Sequence, residues 1–288
     1  MNTSFTRKII ETRITLAKGS FGGQGNTKVI RGLATEVSVE KPGLPDKGKA
    51  SIKITNVPLN DMEQLTTLAF KPLQYQRNSV VVLAGDAESG LSQVFSGEIT
   101  SAFGNFNAAP DPVFEIEAMT GFFGALIPQQ PTSTAGNVGV ADIVGQMAAK
   151  MGYSFKNEGV SAQLRNSVFN GSPLEQAQAA ARQSGVELLV DDGAMVLLPA
   201  GSARAGNAVL LNKNSGMIGY PAFNNNGITV KCLYNPAIRF GGLIRVESIV
   251  PKASGVWRIT KLSHKLSAFH TGGGNWVSEI EGTYRMGM

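Results

Sequence analysis

Apolar and polar residues alternate one for one along much of this chain, and a period of two restricts those segments to half-buried β-strands. In Phe114-Glu115-Ile116-Glu117-Ala118, the apolar three share one face and both glutamates take the other. Ile10, Thr12, Ile14 and Leu16 repeat the pattern, as do Val37 with Val39, Ile52 with Ile54, and residues 80–84 and 94–100. The segment Lys41-Pro42-Gly43-Leu44-Pro45-Asp46-Lys47-Gly48 is a turn between two such runs. Residues 1–120 are therefore predicted to form a first β domain, a sandwich or small barrel. One short helix interrupts it near residues 60–68, with Asn60 or Asp61 as cap and Met62, Leu65 and Leu68 toward the core.

The period changes in residues 121–212. Gly121-Phe122-Phe123-Gly124-Ala125 leads into a polar, proline-bearing linker at 128–134. Val140, Ile143, Val144, Met147, Ala148 and Met151 then make the stripe of an amphipathic helix, which Gly152 ends. Tyr153-Ser154-Phe155 reads as a strand. Ser172, Pro173 and Glu175 give a second helix its N-cap, first residue and capping box, and Gly185 stops it after Ser184. Residues 186–190, the Asp191-Asp192-Gly193 turn and residues 195–199 form a hairpin. This is a small α+β insert domain. Residues 213–288 return to β, with strands at 228–234, 243–249, 255–266 and 275–285 and Trp276, Ile280 and Tyr284 on one face. A flexible turn covers 269–274. The predicted class is β-rich α+β, two β-barrel or sandwich domains (1–120 and 213–288) flanking the insert (121–212).

Charge is sparse, 16 % of residues, which suits a surface covered by other protein or a loop-rich β chain alike. The net +5 is uneven. Lysine plus arginine against aspartate plus glutamate stands at 12 to 12 in residues 1–120, 5 to 6 in 121–212, and 9 to 3 in 213–288. The last third carries the surplus, and Lys252, Arg258, Lys261 and Lys265 lie there near Trp257. Such a segment can meet nucleic acid or an acidic protein face. One cysteine, Cys232, excludes an internal disulfide and a cysteine-rich zinc site, and its strand position predicts a packed thiol. The N-terminus leads to no signal-peptide core, and no run reaches the length of a membrane span. A soluble chain, made and folded in a cytoplasm and not inserted in a membrane, is expected.

Catalytic chemistry finds little to work with. His264 sits between two lysines with no carboxylate nearby in sequence, and His270 adjoins a glycine turn. Glu115 with Glu117 suits a solvated strand face; Asp191 with Asp192 suits a turn with local backbone bonds. Gly22-Gly23-Gln24-Gly25-Asn26-Thr27-Lys28 lacks phosphate-loop spacing and precedes a strand, so it reads as a hairpin tip. No catalytic, cofactor-binding or metal residue is assigned, and no enzyme activity or cofactor is expected.

One stretch carries a resemblance. Gly216-Met217-Ile218-Gly219-Tyr220-Pro221-Ala222-Phe223, then Gly227 through Ile238 with Cys232-Leu233-Tyr234-Asn235-Pro236, then Gly241-Gly242-Leu243-Ile244-Arg245-Val246, resembles the tail baseplate hub proteins of bacteriophages. These are the late-control D family and the hub half of type VI secretion spike proteins. Residues 141–153, 173–177 and 186–193 resemble the same family's insert. The resemblance implies two tail-tube-like β domains and a homotrimer whose six β domains adapt a sixfold tail tube to a threefold spike. It implies as partners a tube or tube-initiator protein, a central spike and baseplate wedge proteins. The genome would pass the channel without sequence-specific binding, in a virion assembled in host cytoplasm, here with a contractile tail. With no spike helix or hydrolase domain in the chain, spike and lysozyme would be separate polypeptides. A nucleic-acid-binding β-barrel protein and a tail-associated cell-wall hydrolase are the competing readings.

Overall fold

The computed structural model describes residues 6–21, 25–66, 77–107, 110–270 and 273–284. The first part carries β1 (Lys8–Thr15), β2 (Thr27–Arg31), β3 (Thr35–Lys41), β4 (Lys49–Thr55), α1 (Leu59–Thr66), β5 (Ser79–Asp86), β6 (Gly90–Asn105) and β7 (Val113–Met119). The middle carries α2 (Phe122–Leu126), β8 (Thr132–Ser133), β9 (Asn137–Gly139), α3 (Val140–Met151), β10 (Ser154–Asn157), β11 (Gln163–Arg165), β12 (Val168–Phe169), α4 (Pro173–Gln183), β13 (Val186–Asp191) and β14 (Ala194–Pro199). The last part carries β15 (Val209–Leu211), β16 (Met217–Asn224), β17 (Gly227–Leu233), β18 (Leu243–Val246), β19 (Gly255–Ala268) and β20 (Trp276–Tyr284). The chain is β-rich, as its alternation demands.

The two outer β parts share one sheet. Its main path runs β16-β17-β20-β19-β3-β4-β7-β6-β5-β1-β2, and β18 with its parallel partner β15 branches from β19. The long strand β19 makes the join. Its N-terminal half pairs with β18, from Leu243↔Arg258 to Val246↔Gly255. Its C-terminal half pairs with β3, from Leu262↔Lys41 to Ala268↔Thr35. Strand β15 thus enters the last unit's pairing at Val209, ahead of residue 213.

The apolar faces gather into three buried clusters. The first is built from β1, β3–β7 and α1 around Ile10, Ile52, Phe95, Phe114 and Ile116, and takes Leu266 and Ala268 from β19. The second is the insert's own, with the whole stripe Val140, Ile143, Val144, Met147, Ala148 and Met151 packed on Leu174, Ala177, Met195 and Leu197. The third lies under β17–β20 and includes Leu189, Val196 and Leu198 from the insert hairpin.

The local signals read from sequence act as expected. Gly152 takes the left-handed conformation after α3. Ser172 Oγ accepts from Glu175 N–H while Glu175 Oε2 accepts from Ser172 N–H, the reciprocal cap of α4. Cys232 is buried, and burial pushes its thiol up to about 12. Helix α1 differs: it begins at Leu59, so Asn60 and Asp61 lie in its first turn, and Asp61 bonds Lys28 Nζ at 2.8 Å. Met62 and Leu65 are buried; Leu68 lies outside the described residues, as do Gly22–Gln24 of the hairpin tip and Thr271 and Gly272 of the 269–274 turn. The tip leads into strand β2, as predicted. The linker is not free of structure, because Thr132 and Ser133 pair with Phe169 and Val168.

Candidate assembly surfaces and the junction cavity

The shared sheet leaves one face polar across its central strands. Registers place Lys231, Glu279, Ser263, Glu40 and Lys49 in one row across β17, β20, β19, β3 and β4. A second row runs Lys265, Ser38, Ser51, Glu117 and Ser101 from β19 to β6. A third runs Ser267, Glu36, Lys53, Glu115 and Phe103. Lysines and glutamates are interspersed with serines, and Lys261 bonds Glu281 Oε1 at 3.3 Å within the same surface. Lys231 and Lys261 thus lie opposite Glu279 and Glu281 of the same third, while Lys265 lies opposite Ser38 of the first. Arg258 pairs with Glu187 of the insert. Trp257 is buried, and its Nε1–H donates to Ala253 O at 2.9 Å. The structure offers no aromatic platform beside a basic groove at these residues.

Among the described residues the sheet is open at both ends: β2 and β16 each have one paired side. Strand β16 carries exposed Ile218, Tyr220 (67 % exposed) and Phe223 (55 % exposed). Its pairing with β17 skips across residues 219–221, where Pro221 interrupts the ladder. Exposed apolar edge strands template further pairing unless a partner covers them.

The insert is fastened to the sheet by two clusters on β6. In one, Glu98 accepts from Phe122 N–H at 2.9 Å and from the Tyr153 hydroxyl at 3.0 Å, and Gly121 N–H donates to that hydroxyl at 2.7 Å. Burial and the Glu98 charge push the Tyr153 phenol above its usual range. In the other, the hairpin tip of β13–β14 meets β3. Asp192 and Gly193 both take positive φ, +50° and +79°, which gives a two-residue turn its twist. Lys41 Nζ lies 2.8 Å from Asp191 Oδ1 and 2.6 Å from Asp192 Oδ2. Arg204 Nη1 is 3.0 Å from Asp191 Oδ2, and Ser96 N–H donates to Asp192 Oδ1 at 3.1 Å. This corrects the sequence reading of the two aspartates: their backbones make the turn, but their carboxylates bind residues up to 151 positions away. Burial opposes the Lys41 charge, but the two carboxylates outweigh it and raise the ammonium's pKa. Burial and Asp191 push the Asp192 carboxyl up to about 6, against the pull of Lys41.

Beside this cluster lies a cavity of about 380 Å³, lined further by Gln93, Tyr234, Arg239 and His264. The segment of strongest resemblance, after β17, forms its wall. Gly241 N–H donates to Ile259 O; its φ of +77° favours glycine, and a Cβ there would also lie 2.3 Å from Leu189 Cδ1, where the loop packs against the insert. His264 is 4 % exposed, and its Nδ1 lies 2.8 Å from Ser278 Oγ. Burial, reinforced by Lys41, pushes the imidazole down to about 3. A serine–histidine pair invites a catalytic reading, but Ser278 is 0 % exposed and its hydroxyl meets no substrate-sized space. Burial also lowers the basicity a general base needs. His270 contacts Glu36 at 3.2 Å on the polar face. Among the described residues no group of three His, Cys, Asp or Glu side chains could hold a metal ion, and no helix is long and apolar enough to cross a membrane.

A family model described as baseplate hub gp41 matches residues 9–271. No curated protein matches the chain in sequence. Among solved structures, the 43 kDa tail protein of prophage MuSo2 from Shewanella oneidensis is similar at TM-score 0.65 and 12 % identity, over 96 % of this chain and 97 % of that one. A tail protein from Neisseria meningitidis is similar at TM-score 0.63 and 10 % identity, over 95 % and 96 %. A type VI secretion component from Escherichia coli, described as similar to T4 tail proteins gp27 and gp5, reaches TM-score 0.56 at 9 % identity, over 88 % and 76 %. At these identities the likeness is one of fold.

Proposed function

Because the chain belongs to the baseplate hub gp41 family, a structural component of the phage tail, we propose that it works as a homotrimeric ring subunit joining tail tube to central spike. The observation that carries this reading is the continuous sheet. It links two β units edge to edge through β19 and β3, exposes one charge-balanced polar face, and among the described residues stays open at β2 and β16. In a closed ring the polar face lines the channel. Interspersed lysine, glutamate and serine let a polyanionic genome slide without a binding site, whereas a uniformly basic wall would hold it. The open edges and the exposed Tyr220 and Phe223 meet neighbouring copies, and the sparse surface charge suits several covered faces. The domain division 1–120, 121–212 and 213–288 goes with this reading. So do a tube or tube-initiator protein, the spike and wedge proteins as partners, a contractile tail, assembly in host cytoplasm, and the absence of an enzymatic role. Native mass spectrometry should give a trimer, and electron microscopy a ring with an axial channel. A concentration-independent monomer that is also absent from tail particles would overturn the proposal.

The basic last third gives a second measurement. Binding to single-stranded and duplex oligonucleotides should be weak, in the micromolar range or poorer, and lost steeply as salt rises. Replacing Lys261 and Lys265 by glutamine should disturb assembly more than melting. Tight, sequence-selective binding at physiological salt would instead favour a nucleic-acid-binding β-barrel protein.

A further inference from the structure

The junction cavity holds hydrogen-bonding groups that the fold does not use. Lys41, Asp191, Asp192 and Arg204 are committed to one another, with Ser96 N–H and Phe240 O completing the set. Three other lining groups are not. Arg239 is exposed, lines this cavity and a neighbouring one, and makes no ion pair among the described residues. The Tyr234 ring stacks edge-on against His264 and Trp276, with centroids 5.3 and 5.7 Å apart, while its hydroxyl has no hydrogen-bond partner among the described residues. His264 is 4 % exposed and spends Nδ1 on Ser278, which leaves Nε2. Among the described residues Arg258 Nε is the one sealed polar side-chain atom without a partner, so the Tyr234 hydroxyl and His264 Nε2 are not sealed off, and both residues line the cavity.

The charges decide the ligand class. The wall carries Lys41, Arg204 and Arg239 against Asp191 and Asp192, one positive charge in excess. Both aspartates are turned to their cations, so the unspent groups are chiefly donors: the Arg239 fork, the tyrosine O–H and the imidazole Nε2–H when Ser278 donates to Nδ1. A planar monoanion matches a guanidinium fork beside two single donors. A phosphate dianion would leave a surplus negative charge beside the buried Asp191 and the half-buried Asp192, which costs more than the extra contact returns. We propose that this cavity is a carboxylate-binding site, in which the exposed Arg239 holds the anion and Tyr234 and His264 donate to it. The carboxylate comes from a small organic acid or from an acidic side chain of a partner chain inserted at the mouth.

The chain has two histidines, so 15N-histidine labelling of the full-length protein gives four ring-nitrogen signals, an Nδ1 and an Nε2 from each. The probes are sodium acetate and the capped peptide Gly-Gly-Glu-Gly-Gly, with sodium chloride at equal ionic strength as control. The His264 Nε2 signal should shift saturably with acetate or with the peptide, with a Kd of about 1 mM or tighter for the better probe. Arg239→Gln should weaken this at least about tenfold while the His270 signals and the circular dichroism stay unchanged. Tyr234→Phe should weaken it too. A carboxylate beside the imidazole favours its charged form, so saturation should also move the His264 titration upward from its depressed range. Peptide binding about tenfold tighter than acetate identifies a partner side chain; equal or weaker peptide binding identifies a small acid. A shift that matches the chloride control, or binding that Arg239→Gln leaves intact, overturns the proposal.

Discussion

Lys41→Met should lower the stability of the folded chain by about 3 kcal/mol, comparable to trimming an apolar core position. The side chain is 9 % exposed at the end of β3, opposite Leu262 of β19, with its ammonium between two carboxylates. Methionine fills nearly the same volume, so packing changes little. What remains is electrostatic. Asp191 keeps Arg204 at 3.0 Å, but Asp192, whose side chain is 22 % exposed, keeps only the Ser96 N–H, and a half-buried carboxylate with one neutral donor is only partly compensated. Differential scanning calorimetry reads the effect, and for a chain of this size the melting temperature should fall by roughly 6–12 °C. Adding Asp192→Asn to Lys41→Met should restore part of the loss, because it removes the stranded charge, and the cycle should return a coupling of at least about 1.5 kcal/mol. A melting temperature unchanged in Lys41→Met would mean that water already solvates both aspartates and that the cluster does not fasten the insert.

That cluster also marks where sequence reasoning stops. The helices over Val140–Met151 and Pro173–Gln183 were legible because everything that makes them is local: a 3.6-residue stripe, a capping box, a glycine one residue past the end. The strands were legible as strands for the same reason, and alternation even told which residues face inward. Alternation does not say which strand lies beside which. The pairing of β19 with β3 joins residues more than 200 positions apart, and only that register reveals that Lys265 faces Ser38 and that Ser263 faces Glu40. A segment count of charge therefore pointed to a basic last third, while in space Arg258 is paired with Glu187 of the insert and Lys261 with Glu281 of its own third. The Asp191-Asp192-Gly193 turn was legible from its residue types, and the backbone follows it. The reach of its carboxylates to Lys41 was not, since a turn-forming aspartate and an ion-pairing one look alike in sequence. The segment around Tyr234–Gly242 gave the family resemblance without its cause; the structure supplies one, a wedge where the insert, β3 and β19 meet.

Met147→Asp tests the insert on its own terms. Met147 is 0 % exposed, on the face of α3 that packs against Leu174, Ala177, Met195 and Leu197. No cation belongs to that cluster: Lys150 is on the exposed side of the same helix, and Arg182 on the exposed side of α4. An aspartate there either buries an unpaired charge or takes up a proton at neutral pH, and either route costs on the order of 4 kcal/mol or more. Met147→Leu, which keeps the volume and the apolar surface, should cost less than about 1.5 kcal/mol and serves as the control for packing. The loss should begin locally. The insert has its own apolar cluster and meets the β sheet through the Glu98 contacts, the Lys41 cluster and the inner face of its hairpin, so it can open while the sheet persists. Hydrogen exchange should show residues 140–199 losing protection in Met147→Asp before β3, β4 and β7 do. Assembly should fail with it, because an open insert releases the hairpin that supplies Leu189, Val196 and Leu198 to the third cluster. A soluble Met147→Asp protein that assembles fully and melts at the wild-type temperature would show that this face of α3 is not core. The helix stripe would then have to serve a partner rather than the fold.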